Sequence, residues 1–388
     1  MKIINLCCIV ILSAMFFGCA APFYGSSKNT PDTFIRVAII QNEDSITLKN
    51  AGDKIELSYG SQKKSMLSCS ILKAANGKVY LSDTPLGTSV YIRKPANSNR
   101  ATLNGKNFAG EIKISAKGSK LTAIETLPME QYLLGVVGSE MPPSWALEAL
   151  KSQAVIARSF AYSKKNSSKE YDITATTADQ VYKYPAVLNE NVKKAVQQTA
   201  GMILTYNKKI IMTYFHSYCG GTTENPANVW ENFKKGRIEV PAPYKKTVKD
   251  LYCKKTAPEN LKSWSFGISS DSALNLAKKT NPAASKVKKI KIGKKTKSGR
   301  ALYLTAYTDA GQTNIDLASL RAIIGAAKIK STFITSVQKT KGGWTISGKG
   351  NGHGIGLCQY GAKGMADSGK NYKQILKYYY PGTKIEKY

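Results

Sequence analysis

The sequence predicts an α+β protein, and three observations carry that reading. Short alternating segments such as FIRVAII, KIELSY and KVYLSD, parted by turn residues, run from Phe34 to about Thr122. A helical period takes over after Pro128. Strand-like and helix-like stretches then mix to the end of the 388-residue chain.

The chain opens on MKIINLCCIVILSAMFFGCA: an early lysine, an apolar run from Ile3 to Phe17, then small residues. This is the pattern of an export signal, and the run is shorter than the roughly 20 residues of a membrane span. Gly18-Cys19-Ala20 resembles the junction at which bacterial lipoproteins are cleaved and acylated on cysteine, although Phe16 and Phe17 depart from the usual residues there. Residues 1–19 are therefore expected to be a signal peptide ending at a lipidated Cys19. Cleavage after Ala21 and an uncleaved anchor are the other two readings, and all three put the mature chain outside the cytoplasm.

Residues 20–33, rich in Ser, Asn and Pro, read as a tether, and 34–122 as a β-rich region with Asn104-Gly105 as a hairpin turn. From 123 to 388 a larger mixed body is expected. Ser144 is its first N-cap candidate, and Glu148 suits an early helical turn. Leu147, Leu150, Ala154, Ala157 and Ala161 form one stripe on that helix. A second helix is expected over 189–200. Residues 234–300 are Lys-rich and weakly patterned, which predicts an insertion or lid containing a helix near 272–279 and a basic strand near 287–292. ALYLTAYT, TFITSVQK and GWTISGKG read as strands, ASLRAIIG as a short helix, and 372–380 as a closing helix before Pro381-Gly382.

Fifty-seven Lys and Arg against 25 Asp and Glu leave a net charge of +32, enough to steer the chain toward a polyanion. The export signal and the lack of a groove-reading motif exclude nucleic acid as the partner. Outside a bacterial membrane the remaining polyanions are anionic lipid head groups and wall polymers. Cys7 and Cys8 lie in the signal, which leaves Cys69, Cys219, Cys253 and Cys358 with three possible pairings.

The chemistry centres on LLGVVGSEMPP, where Glu140 stands in an apolar stretch read as a loop stiffened by Pro142 and Pro143. Arg158 falls about 20° from Leu147 on a helical wheel, so it points into the apolar stripe and requires an anion. Glu140 is either that anion or a general acid with a raised pKa. Glu130 and Glu148 read as structural. In GNGHGIGLCQYGA, four glycines let the backbone approach a ligand and His353, Gln359 and Tyr360 supply polar groups. Tyr182 and Trp230 offer flat faces for sugar stacking, and Asp179 is the best second carboxylate for a hydrolytic route. His216 and Cys219 are three apart, as are Asp250 and Cys253, and the four donors suit tetrahedral zinc. A Cys219–Cys253 disulfide and unpaired thiols stay open beside it.

Five ordered motifs resemble the stage II sporulation protein D family, which includes the amidase enhancers: PMEQYLLGVVGSEMPPSWALEALKSQAVIARSFAY, TATTADQVY, FHSYCGGTTENPANVW, LRAIIGAAKIKSTFIT and GKGNGHGIGLCQYGAKGMADSGKNYKQILKYYYPGTKI. The likeness covers roughly Ile35 to Ile385. It implies a lytic transglycosylase acting on peptidoglycan glycan strands, with a preference for strands whose stem peptides an amidase has removed. Glu140 matches the family's catalytic glutamate. Gln153, Arg158, Asp179, Gln180, Tyr182, His353, Gln359 and Tyr360 are then expected to face the strand. Asn351 stands where the family commonly has Trp. The implied activity needs no cofactor, and a structural zinc is known in some relatives. An amidase is the implied protein partner, and a non-catalytic wall-binding enhancer of such an amidase is the competing function.

Overall fold

The computed structural model describes residues 33–50, 52, 55–66, 69–95 and 101–388. The signal peptide, Cys19 and the tether up to residue 32 lie outside them. Among the described residues no helix is long and apolar enough to cross a membrane.

Two sheets build the β-rich portion. The larger has seven strands in the order Ile173–Thr174, Phe34–Glu43, Lys120–Pro128, Glu111–Lys117, Ser89–Arg93, Ile55–Tyr59, Gln62–Met66, antiparallel except at its first pair. The smaller has six strands, with Ser45–Asn50 and Ser70–Ala75 at its centre. Alternation explains the layering: Ile112 and Ile114 from one sheet and Ile46, Leu48 and Leu72 from the other are fully buried in one core. Asn104 and Gly105 both take positive φ, 47° and 75°, in the expected hairpin turn. The last strand of this region runs to Pro128, where the helical period is expected to begin, with Leu121, Ala123 and Leu127 buried along one face.

Helix α1 (Met129–Glu140) follows that strand directly. It ends at Glu140 because Met141 precedes a proline and is driven to extended backbone, φ −128° and ψ 139°. Glu140 therefore closes a helix and does not stand in a loop. Helix α2 (Leu147–Lys164) starts after Ala146 without a side-chain cap, so Ser144 is not its N-cap. From Ala149 to Ala161 every residue except Lys151 is buried, which makes α2 the central helix of the fold, covered on nearly all sides. Helix α3 (Glu190–Gln198) is capped by Asn189, whose side chain accepts from the Asn191 and Val192 amides.

One apolar core joins residues from Ile35 to Tyr380, so the β-rich portion and the helices beyond residue 122 share it. A second core lies between Trp264 and Ile346. The expected insertion at 234–300 is accordingly displaced. Residues up to about 262 wrap the first core through Tyr244, Cys253, Ala257 and Leu261, and the separate unit runs on to Gly348. It contains two three-stranded antiparallel sheets, Trp264–Ser269 with Gly343–Gly348 and Ile334–Thr340, and Val287–Ile292 with Tyr303–Thr308 and Gly311–Asp316. Helices Ser270–Lys278 and Leu317–Ile324 complete it. The basic strand and both helices fall close to where the pattern predicts them. Glu224 fastens the unit to the first core by accepting hydrogen bonds from Thr296 Oγ1 (2.6 Å) and Ser298 Oγ (2.7 Å).

Candidate active site and thiol cluster

Glu140 is half-buried at the carboxyl end of α1. Its Oε1 accepts the Val181 N–H at 2.7 Å, and its backbone carbonyl accepts Gln359 Nε2 at 3.1 Å. Burial raises the carboxyl pKa to about 7, against the lowering pull of the Val181 amide and the Gln359 side chain. At neutral pH such a group is present in both protonation states, which a residue that first gives and then takes a proton requires.

The Val181 amide is held in place by the segment around it. Gln180 is buried and its Oε1 accepts from the Tyr132 hydroxyl of α1 at 3.0 Å. The Tyr182 ring stacks on Tyr132 with centroids 5.1 Å apart. Gly135 permits this approach, since a Cβ there would lie 2.5 Å from the Tyr182 ring. Tyr182 is only 5% exposed, so it braces α1 and presents no face to a sugar. Asp179 accepts from the Thr174 amide and hydroxyl, both at 2.9 Å, and pairs with Lys164 at 2.9 Å. Burial pushes its pKa up, but Lys164 and Thr174 outweigh burial and leave it below the usual carboxylate value. Its carboxylate is thereby engaged in anchoring the loop.

Arg158 is fully buried and pairs with Glu130, not with Glu140. Its Nε and Nη2 donate to the two Glu130 oxygens at 2.8 and 2.6 Å, and Nη1 donates to Met202 O at 2.9 Å. The inward direction holds, yet the guanidinium is used up inside the fold and is not available to a strand. Glu148 is structural as expected, accepting from Lys151 Nζ and the Tyr372 amide. Gln153 is buried on α2, and neither of its amide atoms has a hydrogen-bond partner among the described residues.

The Gly-rich segment delivers Gln359 to the end of α1. Gly356, at φ +71°, lies so close to Tyr214 that a Cβ would sit 1.8 Å from its carbonyl oxygen. Gln359 then opens the helix Gln359–Asp367, and the Tyr360 ring stands 5.1 Å from Trp145. His353 turns elsewhere. Its Nδ1 accepts the Ile355 amide at 3.0 Å, and its ring lies 5.1 Å from Trp230 and 5.6 Å from His216. Burial, then Arg321 and Arg300, push its pKa down to about 3, so the ring is neutral. Among the described residues it makes no bond to Glu140 or Gln359. Trp230 is half-buried beside Tyr214, with centroids 4.6 Å apart.

A second constellation lies directly behind Gln359. Donor atoms of Cys219, Asp250, Cys253 and Cys358, all buried, lie within 4.8 Å of one another. Cys219 Sγ is 3.3 Å from Asp250 Oδ2 and 3.5 Å from Cys253 Sγ. None of these cysteines is in a disulfide. The expected donor set changes in one member, with Cys358 in place of His216. The His216 Nδ1 bonds Ile355 O at 3.0 Å, and its buried Nε2 has no hydrogen-bond partner among the described residues. Three sulfurs and a carboxylate oxygen suit tetrahedral zinc. Outer partners are present too: Tyr379 OH donates to Asp250 Oδ2 at 2.8 Å, and the Tyr252 and Cys253 amides donate to Oδ1. Hydrogen bonds from Cys219 and Cys358 draw the Cys253 thiol down to about 5, while burial holds Cys358 well above the ordinary thiol value, so the negative charge of the group centres on Cys253.

Sequence reasoning missed Glu130 as the partner of Arg158, Cys358 as a donor, and the Val181 amide. For Cys358 a signal existed, since it directly precedes Gln359 inside the Gly-rich motif. A backbone N–H leaves no mark in residue type.

Comparison with known proteins follows the same division. A family described as Stage II sporulation protein matches residues 117–206, which contain α1, Glu140 and α2. A Domain of unknown function (DUF8618) matches 256–356, the second unit with its flanks. An uncharacterized protein of Brachyspira hyodysenteriae is 35% identical over 292 residues, 74% of each chain. The Amidase enhancer of Bacillus subtilis is 35% identical over 82% of this chain and 50% of its own length. Stage II sporulation protein D of Bacillus subtilis is 31% identical over 75% of this chain and 83% of its own. With that identity sustained over most of both chains, and with the matched segment holding Glu140, this protein belongs to the stage II sporulation protein D family.

Proposed function

We propose that the protein is a peptidoglycan lytic transglycosylase cutting the β-1,4 bond between MurNAc and GlcNAc in strands free of stem peptide. The observation that carries this is Glu140, one carboxyl with a pKa near 7 held by the Val181 amide, on a residue whose backbone carbonyl accepts from Gln359. Protonated Glu140 gives its proton to the bridging oxygen as the bond to C1 breaks. The resulting carboxylate takes the proton of the MurNAc C6 hydroxyl, whose oxygen closes on C1 and leaves a 1,6-anhydro end. Water is not the nucleophile, so the carboxylate pair of ordinary glycosidases is not needed. The Val181 amide orients the acid, and Gln359 holds the backbone that carries it.

Cys219, Asp250, Cys253 and Cys358 would hold a zinc ion, and the bound metal would supply a structural cross-link beneath Gln359. The site of action is outside the cytoplasm. We expect acylation at Cys19 to tether the chain, and Cys19→Ala to move it from the membrane to the soluble fraction; unchanged fractionation would count against the tether.

The function is tested by mass analysis of peptide-free strands after incubation with the purified protein. Anhydro ends are expected. Reducing ends would make the enzyme a hydrolase. Uncut strands together with a stimulated amidase would assign the enhancing role that one relative's name carries.

A further inference from the structure

The second unit has a face that the proposed reaction does not use. Between Trp264 and Gly348 stand fifteen Lys and Arg but only three acids, Asp271, Asp309 and Asp316. All three acids sit at turns or helix starts. Asp309 accepts from Ser285 and the Lys286 amide, Asp316 accepts from the Ser319 amide, and Asp271 lies in the first turn of Ser270–Lys278.

The sheet Val287–Ile292, Tyr303–Thr308, Gly311–Asp316 shows two contrasting sides. Ile290, Leu304, Ala306 and Ile315 are buried in the second core. On the other side, cross-strand pairing aligns Lys289 with Tyr307, and Lys291 with Thr305 and Asn314. Both lysines and Asn314 are exposed, and Tyr303, Thr305 and Tyr307 are partly so. Lys291 Nζ stands 5.6 Å from the Tyr307 ring centre. Among the described residues neither Lys289 nor Lys291 pairs with a carboxylate. The one acid at the margin, Asp316, is engaged as a helix cap.

Charge alone would suit any polyanion. Flat phenol rings interleaved with hydroxyl and amide groups add a preference for sugar. The substrate class of the proposed reaction has both properties. When an amidase hydrolyses the bond between the MurNAc lactyl carbonyl and the first stem residue, the amine leaves with the peptide and a carboxylate stays on the sugar. A peptide-free strand is therefore a polyanion with one carboxylate per disaccharide, whereas an intact strand has that group masked as an amide.

We propose that this sheet face is a second strand-holding surface, selective for glycan that carries free lactyl carboxylates. The inference rests on the transglycosylase reading and deepens it. Lys289 and Lys291 meet carboxylates while Tyr303 and Tyr307 lie against sugar rings. Preference for stripped strands then arises partly at a distance from Glu140, in the unit whose family has no assigned function.

The test measures binding in the full chain carrying Glu140→Gln, so that strands survive the assay. Peptide-free strands, the same strands with carboxylates converted to neutral amides, a phosphodiester wall polymer and anionic lipid vesicles are compared. The parent should hold peptide-free strands at least about tenfold more tightly than neutralised ones. Lys289→Glu combined with Lys291→Glu should remove that margin, and Tyr307→Ala should weaken strand binding several-fold without loss of the thermal transition. Equal binding of neutralised strands, or full retention by the double variant, would overturn the proposal. So would a parent that prefers the phosphodiester polymer or the vesicles. Since binding is read without the acid, these outcomes do not depend on whether the wild-type protein cuts.

Discussion

Glu140→Gln should reduce release of anhydro-ended fragments from peptide-free strands by about 10²- to 10⁴-fold, the usual worth of a positioned general acid. Glutamine keeps the Val181 contact through its carbonyl oxygen, and the bond from Gln359 goes to the backbone of residue 140, so the site should retain its shape. Strand binding, supported by the basic surface, should persist. In the wild type the acid must begin protonated, so the rate should decline as pH rises through about 7.

The same substitution should raise stability, and the sign follows from the direction of the shift. In the native protein Glu140 holds its proton up to about pH 7, and in the unfolded chain only up to its ordinary value near 4.5. Between those values the native state binds more protons, so stability falls as pH rises and levels off above 7. A glutamine at this position lacks that penalty, which is at most about 3 kcal/mol for a shift of this size. Urea unfolding should therefore show Glu140→Gln matching the wild type near pH 4 and exceeding it near pH 8. Equal cleavage by the two proteins would remove Glu140 from the chemistry; a stability difference independent of pH would show that its carboxyl is not held neutral by burial.

What the sequence made legible was local. The Asn104-Gly105 turn, the basic strand over Val287–Ile292 and the closing helix from Tyr372 all depend on neighbours a few residues apart, where period and turn chemistry are strong. Glu140 was legible as a carboxyl in apolar company, although the Met141-Pro142 step ends a helix there instead of forming a loop. Partners across the fold were not legible. A helical wheel gives the direction of Arg158 but cannot choose between Glu130 and Glu140, which lie on the same helix ten residues apart. Tyr182 looks like a sugar platform from its residue type, and only the Tyr132 ring and the absent side chain at Gly135 show that it is packed. The limits of the second unit were hidden because a register shift between Val287 and Lys289 sets two exposed lysines between the buried Val287 and Ile290, which breaks the period of two that marks a core strand.

The thiol cluster shows the same limit at longer range, and it yields the prediction with the largest effect on stability. Spacing within FHSYC and DLYC selects His216 with Cys219 and Asp250 with Cys253, whereas Cys358 arrives 139 residues after Cys219 and its Sγ accepts the Cys219 amide at 3.3 Å. Purified protein should contain about one equivalent of zinc. Cys358→Ser should lose it together with much of the thermal stability, because structural zinc contributes roughly 10–16 kcal/mol of apparent binding energy in small metal-dependent folds. Here an extensive apolar core remains, so the loss should lower the melting temperature without abolishing folding. His216→Ala should keep the metal, since Cys219, Asp250, Cys253 and Cys358 already bring four donor atoms together. Gln359 is covalently next to Cys358 and reaches the Glu140 carbonyl, so removal of zinc should also slow strand cleavage while leaving the Glu140 side chain in place. A metal-free protein of unchanged melting temperature would refute the site, and loss of metal from His216→Ala as complete as from Cys358→Ser would return the histidine to it. Thiol counting on the metal-free protein decides the remaining case: the Cys219 and Cys253 sulfurs, 3.5 Å apart, should both titrate as free thiols if the cluster is built for metal, and neither should if it closes as a disulfide.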